Sequence, residues 1–410
     1  MKLFYNIFIW LYPLAAKLLG TNNKKAQLWV QGRKNIFSSL QSAFQNHSAK
    51  IVWVHCSSLG EFEQGRPLIQ NIKSQFSEYK ILLTFFSPSG YEVQKNYKGA
   101  DWIFYLPMDS PSNAKQFLEI VNPCLVLFIK YEFWFYYLNE IKKRNIPMLL
   151  ISGVFREQQV FFQWYGNLYR KMLSSFTYFF VQNQQSKELL KSIGFDKNVI
   201  ISGDTRFDRV ITIAENFEPI NIIESFISDK ITIVAGSTWT EDDEELCHYA
   251  NNHPEIKFII APHDIDEERI EECKTLYKNS ILYSSIVNNQ SSIVNGNVLI
   301  IDNIGILSKL YKYATICYVG GGFGDDGVHN VLEAAVYYKP VLFGPEYDKY
   351  TEAIELIDAN GALTIENALE LESEFDFLLN DKNYYEATCK NAGNYVKNKS
   401  GATKKIMEYI

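Results

Sequence analysis

The stretch Tyr318-Val319-Gly320-Gly321-Gly322-Phe323-Gly324-Asp325-Asp326-Gly327-Val328-His329-Asn330-Val331-Leu332-Glu333-Ala334-Ala335 runs from an apolar strand former through a glycine cluster into a helix former. That order describes one βα unit. The glycines let the backbone approach a ligand closely, and the start of a helix offers N–H groups to a phosphate. His329 and Glu333, four residues apart, are expected on one helix face. The imidazole then lies near the phosphate end, and the carboxylate lies one turn deeper, where it accepts both hydroxyls of a ribose. The segment therefore predicts a nucleotide pocket in an α/β protein.

The same unit repeats along the chain. From Lys50 onward, short β-branched or aromatic runs alternate with longer helical patterns, as in parallel sheets wound with helices. In the first half the strand candidates are 51–56, 81–86, 102–107, 125–130, 148–153, 178–182 and 199–203; in the second they are 231–236, 257–262, 281–286, 297–302, 315–320 and 340–345. The pause over 209–230 contains Pro219 and polar residues and is expected to connect two domains. The predicted organisation is an N-terminal segment over 1–22, one Rossmann-like domain over 23–208, the connection, and a second such domain over 231–410, whose last helix is free to pack back on the first. In such sheets ligands lie beyond the carboxyl ends of the strands, so a cleft between the domains is expected to hold both substrates.

With 410 residues, 47% of them hydrophobic, the chain can build two cores. Its six cysteines form no C-x-x-C pair and have no His partners at zinc spacing, which argues against a disulfide framework or a metal knot. The net charge of −7 hides a division: residues 1–208 hold 24 Lys+Arg and 14 Asp+Glu, leaving 16 and 33 to residues 209–410. Residues 1–60 contain seven cations and no acid, which suits an anionic membrane surface or a phosphorylated lipid. No nucleic acid is expected as a partner. The run Leu3 to Leu19 is apolar and aromatic but interrupted by Asn6, Pro13 and Lys17, so it is marginal for a bilayer span. It either crosses or lies in the interface, as a membrane-attachment helix. The cations that follow would keep the main domains cytoplasmic, and they fit a signal peptide poorly.

A second candidate site begins where the first strand breaks, at His55-Cys56-Ser57-Ser58-Leu59-Gly60-Glu61. A carboxylate in the first turn of a helix is held ionised, ready to accept a proton, although the same field lowers its basicity.

Together these motifs resemble the Kdo (3-deoxy-D-manno-octulosonic acid) transferases, glycosyltransferases of the GT-B type with two Rossmann-like domains. The likeness rests on Gly321-Gly322 followed by His329-Asn330-x-x-Glu333 and Gly344-Pro345, and on Ser58-x-Gly60-Glu61. It extends to Gly236-Ser237-Thr238, to Ser152-Gly153-Val154-Phe155-Arg156 and to Ser202-Gly203-Asp204-Thr205-Arg206-Phe207-Asp208. Lys130-Tyr131-Glu132-Phe133-Trp134 departs from the family pattern in that Lys130 replaces the first of two acids. Pro262-His263-Asp264 stands where relatives carry an extra cation, a role left to His263 or to Arg269.

The resemblance implies inverting transfer of Kdo from CMP-Kdo to a lipid A precursor, without cofactor or metal, at the cytoplasmic face of the inner membrane. Glu61 would be the base. Ser237, Thr238, His263, Gly321, Gly322, His329, Asn330 and Glu333 would bind the nucleotide sugar, with phosphate stabilisation from N–H groups after Gly321 and Gly322. Ser58, Gly60, Lys130, Glu132, Arg156 and Arg206 would bind acceptor or phosphate. Asp325-Asp326 sits inside the glycine loop rather than in a D-x-D run after a strand, so no metal role is assigned to it. Two rivals are a GT-B enzyme using a UDP-sugar, either a lipid glycosyltransferase or an epimerase, and a two-lobed binding protein without chemistry. The S-x-G-E motif separates the first from the Kdo reading, and the cations after Leu19 argue against export of the second.

Overall fold

The computed structural model describes residues 1–45, 48–130, 132–288 and 296–410; Tyr131, in the motif around Glu132, lies outside them. Two compact units account for the chain, one of Met1–Arg209 with Ser400–Ile410 and one of Val210–Lys399.

The first unit is built on seven strands: β1 Lys50–Cys56, β2 Tyr79–Phe85, β3 Trp102–Tyr105, β4 Leu125–Ile129, β5 Met148–Gly153, β6 Tyr178–Val181 and β7 Val199–Ile201. They lie in the order β3-β2-β1-β4-β5-β6-β7, all parallel. Parallel sheets are covered on both faces, and the continuous apolar runs follow from that. Trp53, Phe117 and Phe128 bury one face, and Val54, Phe62 and Leu83 bury the other. Chain direction across the sheet reverses between β1 and β4, which opens a crevice at their carboxyl ends. The helices that return the chain start on side-chain caps. Ser110 accepts from Asn113 N–H with Pro111 in the first turn, and Asn183 accepts from Ser186 N–H.

Residues 400–410, read from the sequence as part of the second domain, belong to this unit. Asp208 accepts from the N–H groups of Gly401 (2.5 Å) and Thr403 (2.6 Å), starting helix Ala402–Met407. Ile406 is buried in the first unit's core, and Tyr409 packs edge-on against Tyr178 and Phe180.

The second unit holds β8 Thr232–Thr238, β9 Lys257–Pro262, β10 Ser280–Leu282, β11 Val298–Ile300, β12 Ile316–Val319, β13 Val341–Phe343 and β14 Ala362–Thr364. Their order is β10-β11-β9-β8-β12-β13-β14, again parallel, with the reversal between β8 and β12. Two expectations are corrected here. The strand read over 281–286 stops at Leu282, because Asp302 accepts from both the N–H and the hydroxyl of Ser284 and starts helix Tyr283–Val287. β14, three residues long, was not recognised at all. The stretch 209–230, read as the connection between the domains, is largely helical: it continues helix Thr205–Glu215 and contains helix Asn221–Ile227, which buries Ile223 and Phe226.

The N-terminal apolar run forms helix Lys2–Leu19. Among the described residues no helix is long and apolar enough to cross a membrane. One side packs on the first unit: Tyr5 donates to Asp109, and Tyr12 meets Trp29 edge-on at 5.1 Å. The opposite side is exposed, with Leu3 at 68%, Phe4 at 71%, Trp10 at 67% and Leu18 at 76%.

Candidate active site

At the crevice of the first unit, β1 ends in Ser57-Ser58 and helix Leu59–Gln75 begins. Glu61, in the first turn, folds its carboxylate back to accept from the N–H groups of Ser57 and of Ser58 (3.1 Å). Such donors lower a carboxyl pKa, and so does nearby Lys130. Burial, aided by the charge of Glu132, outweighs them and raises Glu61 from 4.5 to about 7. The net direction is the reverse of what the field of the helix alone would give. A Cβ at Gly60 would meet nothing within 4 Å, so the space above this turn is open.

Glu132 follows β4, the strand paired with β1, and reaches the same crevice. Burial raises its pKa, but hydrogen bonds from His55 and Trp134 and from the Ser57 hydroxyl side win, holding it below the ordinary value. His55 is fully buried; its Nε2 lies 3.3 Å from Glu132 and its Nδ1 lies 2.8 Å from the Thr84 hydroxyl. Two carboxylates are thus driven apart in acidity by their surroundings, one kept ionised and the other poised near neutrality, as acid–base chemistry requires.

The other first-unit candidates divide. Lys130 stands between β4 and Glu132 with a left-handed backbone (φ 59°). Arg206 is held by Asp204, its Nε donating at 2.8 Å, and Asp204 also accepts from Gln182 (3.0 Å) and from Gln64 (3.4 Å) of the Glu61 helix. Arg206 is therefore linked through Asp204 to Gln64, one turn along the helix from Glu61, whereas Arg156 is exposed on the loop after β5.

In the second unit, loops after β8, β9 and β12 converge. Gly321 has φ 91°, and a Cβ there would lie 2.5 Å from Gly327 O; one at Gly322 would lie 2.5 Å from Gly344 N. The glycines thus permit a tight turn packed on the Gly344-Pro345 backbone. The Gly321 N–H donates to Asp242 (2.8 Å). Two expectations need correction. Helix Leu332–Ala335 begins after His329 and is four residues long, so His329 and Glu333 share no helix face and the glycine turn does not open directly into a helix. Arg269 is buried in ion pairs with Asp243 and with Glu272 (2.7 Å) instead of reaching a ligand.

His329 is the centre of what remains. Its Nε2 accepts from the Trp239 indole N–H (3.1 Å), and His263 stacks between the two rings, 4.5 Å from each. Burial first, and then His263, lower the His329 pKa to about 4, so it is a neutral imidazole whose Nδ1–H remains to donate. Ser237 has φ 56° at the end of β8, beside Thr238, whose side chain is fully buried. Asn330 donates to Glu333 at 3.0 Å, which aligns that carboxylate.

Sequence reasoning missed Trp239 and Asp242. Asp242 accepts from the Trp239 N–H (2.9 Å), the Tyr318 hydroxyl (2.7 Å) and Gly321, joining helix Thr240–Asn252 to the glycine turn. Its place in the first turn of a helix that directly follows Gly236-Ser237-Thr238 was the available signal.

Residues 31–209 match the family model described as 3-Deoxy-D-manno-octulosonic-acid transferase (kdotransferase). The chain is 29% identical over 357 residues to the 3-deoxy-D-manno-octulosonic acid transferase of Aquifex aeolicus, covering 84% of this chain and 92% of that protein. It is 28% identical over 349 residues to a bifunctional glycosyltransferase/methyltransferase of Fusobacterium nucleatum, covering 82% of this chain and 53% of that protein's length. Among solved structures, UDP-GlcNAc 2-epimerase from Neisseria meningitidis bound to UDP-GlcNAc superposes with a TM-score of 0.63 at 19% identity, over 88% of this chain and 98% of that one. A glycosyltransferase from Rickettsia africae gives 0.56 at 16% identity, over 88% and 98%. At those identities the likeness speaks for the fold, two parallel-sheet α/β domains of GT-B type.

Proposed function

We infer that this chain, an enzyme belonging with the Kdo transferases and hence a glycosyltransferase, moves Kdo from CMP-Kdo onto the disaccharide of a lipid A precursor with inversion at the anomeric carbon. The acceptor hydroxyl loses its proton to Glu61 as its oxygen bonds to the anomeric carbon, and the bond from that carbon to the CMP phosphate oxygen breaks. The observation that carries this reading is the carboxylate pair at the β1/β4 crevice. Glu61, near 7, is sufficiently basic to take the proton yet substantially ionised at neutral pH. Lys130 and Arg206 are assigned to acceptor phosphates, the geometry that suits a guanidinium best. Glu333, aligned by Asn330, is assigned to the ribose of the donor, and the neutral His329 to its phosphate as an N–H donor.

The exposed side of helix Lys2–Leu19 is assigned to the membrane interface, lying in its plane, with Lys17, Lys24 and Lys25 toward anionic headgroups. We assign the enzyme to the cytoplasmic face of the inner membrane, a reading supported by the cations that follow Leu19.

The test is transfer from CMP-Kdo to a lipid A precursor, followed by product mass. Wild type should add Kdo, and Glu61→Gln should be slower by about 10²–10⁴, the usual weight of general-base catalysis. Turnover of a UDP-sugar with none of CMP-Kdo would overturn the reading.

A further inference from the structure

A cavity of about 540 Å³ lies between helix Lys2–Leu19 and the segment that follows Glu132. Phe4 and Phe8 of the helix form one wall. The opposite wall consists of Phe133, Phe161 from the turn Val160–Phe162, and Tyr169 from helix Asn167–Leu173. Glu132 is its one acidic lining residue. Phe4 and Phe8 are 71% and 49% exposed, so the cavity opens along the same helix whose outer side presents Leu3, Leu11, Leu14 and Leu18. The loop carrying Phe161 continues to Trp164 and Tyr165, which are 90% and 45% exposed, the aromatic pair favoured where an apolar phase meets water. Lys2 sits over the rings of Phe135 and Tyr136 at 5.5 and 5.9 Å, placing a cation at the same end of the helix.

We propose that this cavity receives one acyl chain of the lipid acceptor and so delivers the attached sugar to the carboxylate pair; the proposal rests on the transferase reading and names how its acceptor is held. The chemistry suits a chain of this kind: an apolar, aromatic-walled slot, continuous with an apolar helix side, whose one acidic lining residue is already engaged by His55 and Trp134. At about 30 Å³ per water-sized group, the space accommodates on the order of a dozen methylenes. An acyl chain leaving a bilayer gains little apolar contact, since lipid tails are as apolar as side chains. Its contribution is positional, tethering the hydroxyl near Glu61, and it becomes measurable as affinity once the acceptor is water-soluble.

The experiment therefore compares two monomeric acceptors without membrane: a deacylated glucosamine disaccharide bisphosphate and the same molecule bearing one octanoyl chain, each with CMP-Kdo. Wild type should favour the acylated acceptor in kcat/KM by about a hundredfold, as if three to four methylenes left water at roughly fourfold each. The double variant Phe4→Gln/Phe8→Gln should bring that ratio below about ten. Both positions are exposed, so the fold has no need of them. Leu18→Gln, on the outer side, should retain the wild-type ratio while weakening sedimentation with anionic phosphatidylglycerol vesicles. Equal use of both acceptors by wild type, or an unchanged ratio in the double variant, removes the acyl site and leaves the transferase reading intact. If neither acceptor reacts, the transferase reading falls and the acyl site with it.

Discussion

Replacing Glu132 by Gln tests the carboxylate pair directly. Holding Glu61 at about 7 instead of 4.5 penalises its ionised form by about 3 kcal/mol. Burial is the larger cause and remains in the variant; the Glu132 charge, the second cause, is removed. Gln keeps an acceptor for His55 and for the Trp134 indole, so the crevice is preserved while one negative charge disappears. Two such charges at about 4–6 Å repel by roughly 3–4 kcal/mol at an effective dielectric near 20 and by about 1 kcal/mol in water, and the open space above Gly60 sets this pair between those limits. The net expectation is a fall in the Glu61 pKa of about one pH unit. The base must be ionised, so kcat/KM rises with pH through this pKa. In wild type the half-maximal point of that rise should lie near pH 7, and in Glu132→Gln near pH 6. The plateau should also drop by about threefold, because a weaker base removes the proton less effectively. A pH–rate profile of kcat/KM from pH 5 to 9 reads both. An unmoved or upward limb would refute the reasoning, because it would mean that Glu61 does not feel Glu132 or that the limb does not belong to Glu61.

Charge removal on the other side should act in the opposite sense: Lys130→Gly takes away a cation that lowers Glu61, so the same limb should move above pH 7, and release of the left-handed backbone should raise the urea midpoint by an amount equivalent to about 1 kcal/mol. Glu61→Gln should gain stability over wild type as pH rises. Between 4.5 and 7 the folded protein holds a proton that the unfolded chain has released, so wild type loses up to about 3 kcal/mol across that window and the variant does not; urea melts at pH 4.5 and pH 8 measure the difference. Gly322→Ala puts a Cβ 2.5 Å from the Gly344 backbone, with no flexible side chain to yield, and should destabilise the second unit by more than about 2 kcal/mol, read by thermal melting.

The sheets were legible because their strands are buried on both faces. A run such as Ile51-Val52-Trp53-Val54 has no other stable setting, and Ser58-x-x-Glu61 marks the start of the next helix through its own hydrogen bonds. What failed depended on partners distant in sequence. Ser284 starts a helix because Asp302 lies opposite; the last helix packs back on the first unit, as the sequence allowed, with Asp208 capturing Gly401 and Thr403. The candidate base was visible as a residue type at a helix start. Its acidity was not, because that depends on burial and on Glu132, which lies 71 positions further along the chain. Likewise His329 was visible as an imidazole beside the glycine turn, but its neutrality was not, because burial and His263 impose it.

The crevices share a feature that propensity alone would have discouraged. Lys130 beyond β4, Ser152 near the end of β5 and Ser237 near the end of β8 all have left-handed backbones, with φ of 59°, 54° and 56°. A side chain in that region costs about 1–2 kcal/mol, whereas glycine adopts it freely and stands at several other turns of this chain. Strain of this kind persists where the surrounding structure enforces it, and it gathers where geometry serves a ligand. Ser152 has a local reason, since its hydroxyl lies 3.2 Å from that of Thr205 and ties β5 to the helix bearing Arg206. Lys130 acts on the charge of Glu61, and Ser237 turns the chain from β8 toward Trp239 and Asp242. Each strained residue thus redirects a loop at a strand's carboxyl end, so that the functional groups owe their positions to backbone turns that the unstrained chain would not take.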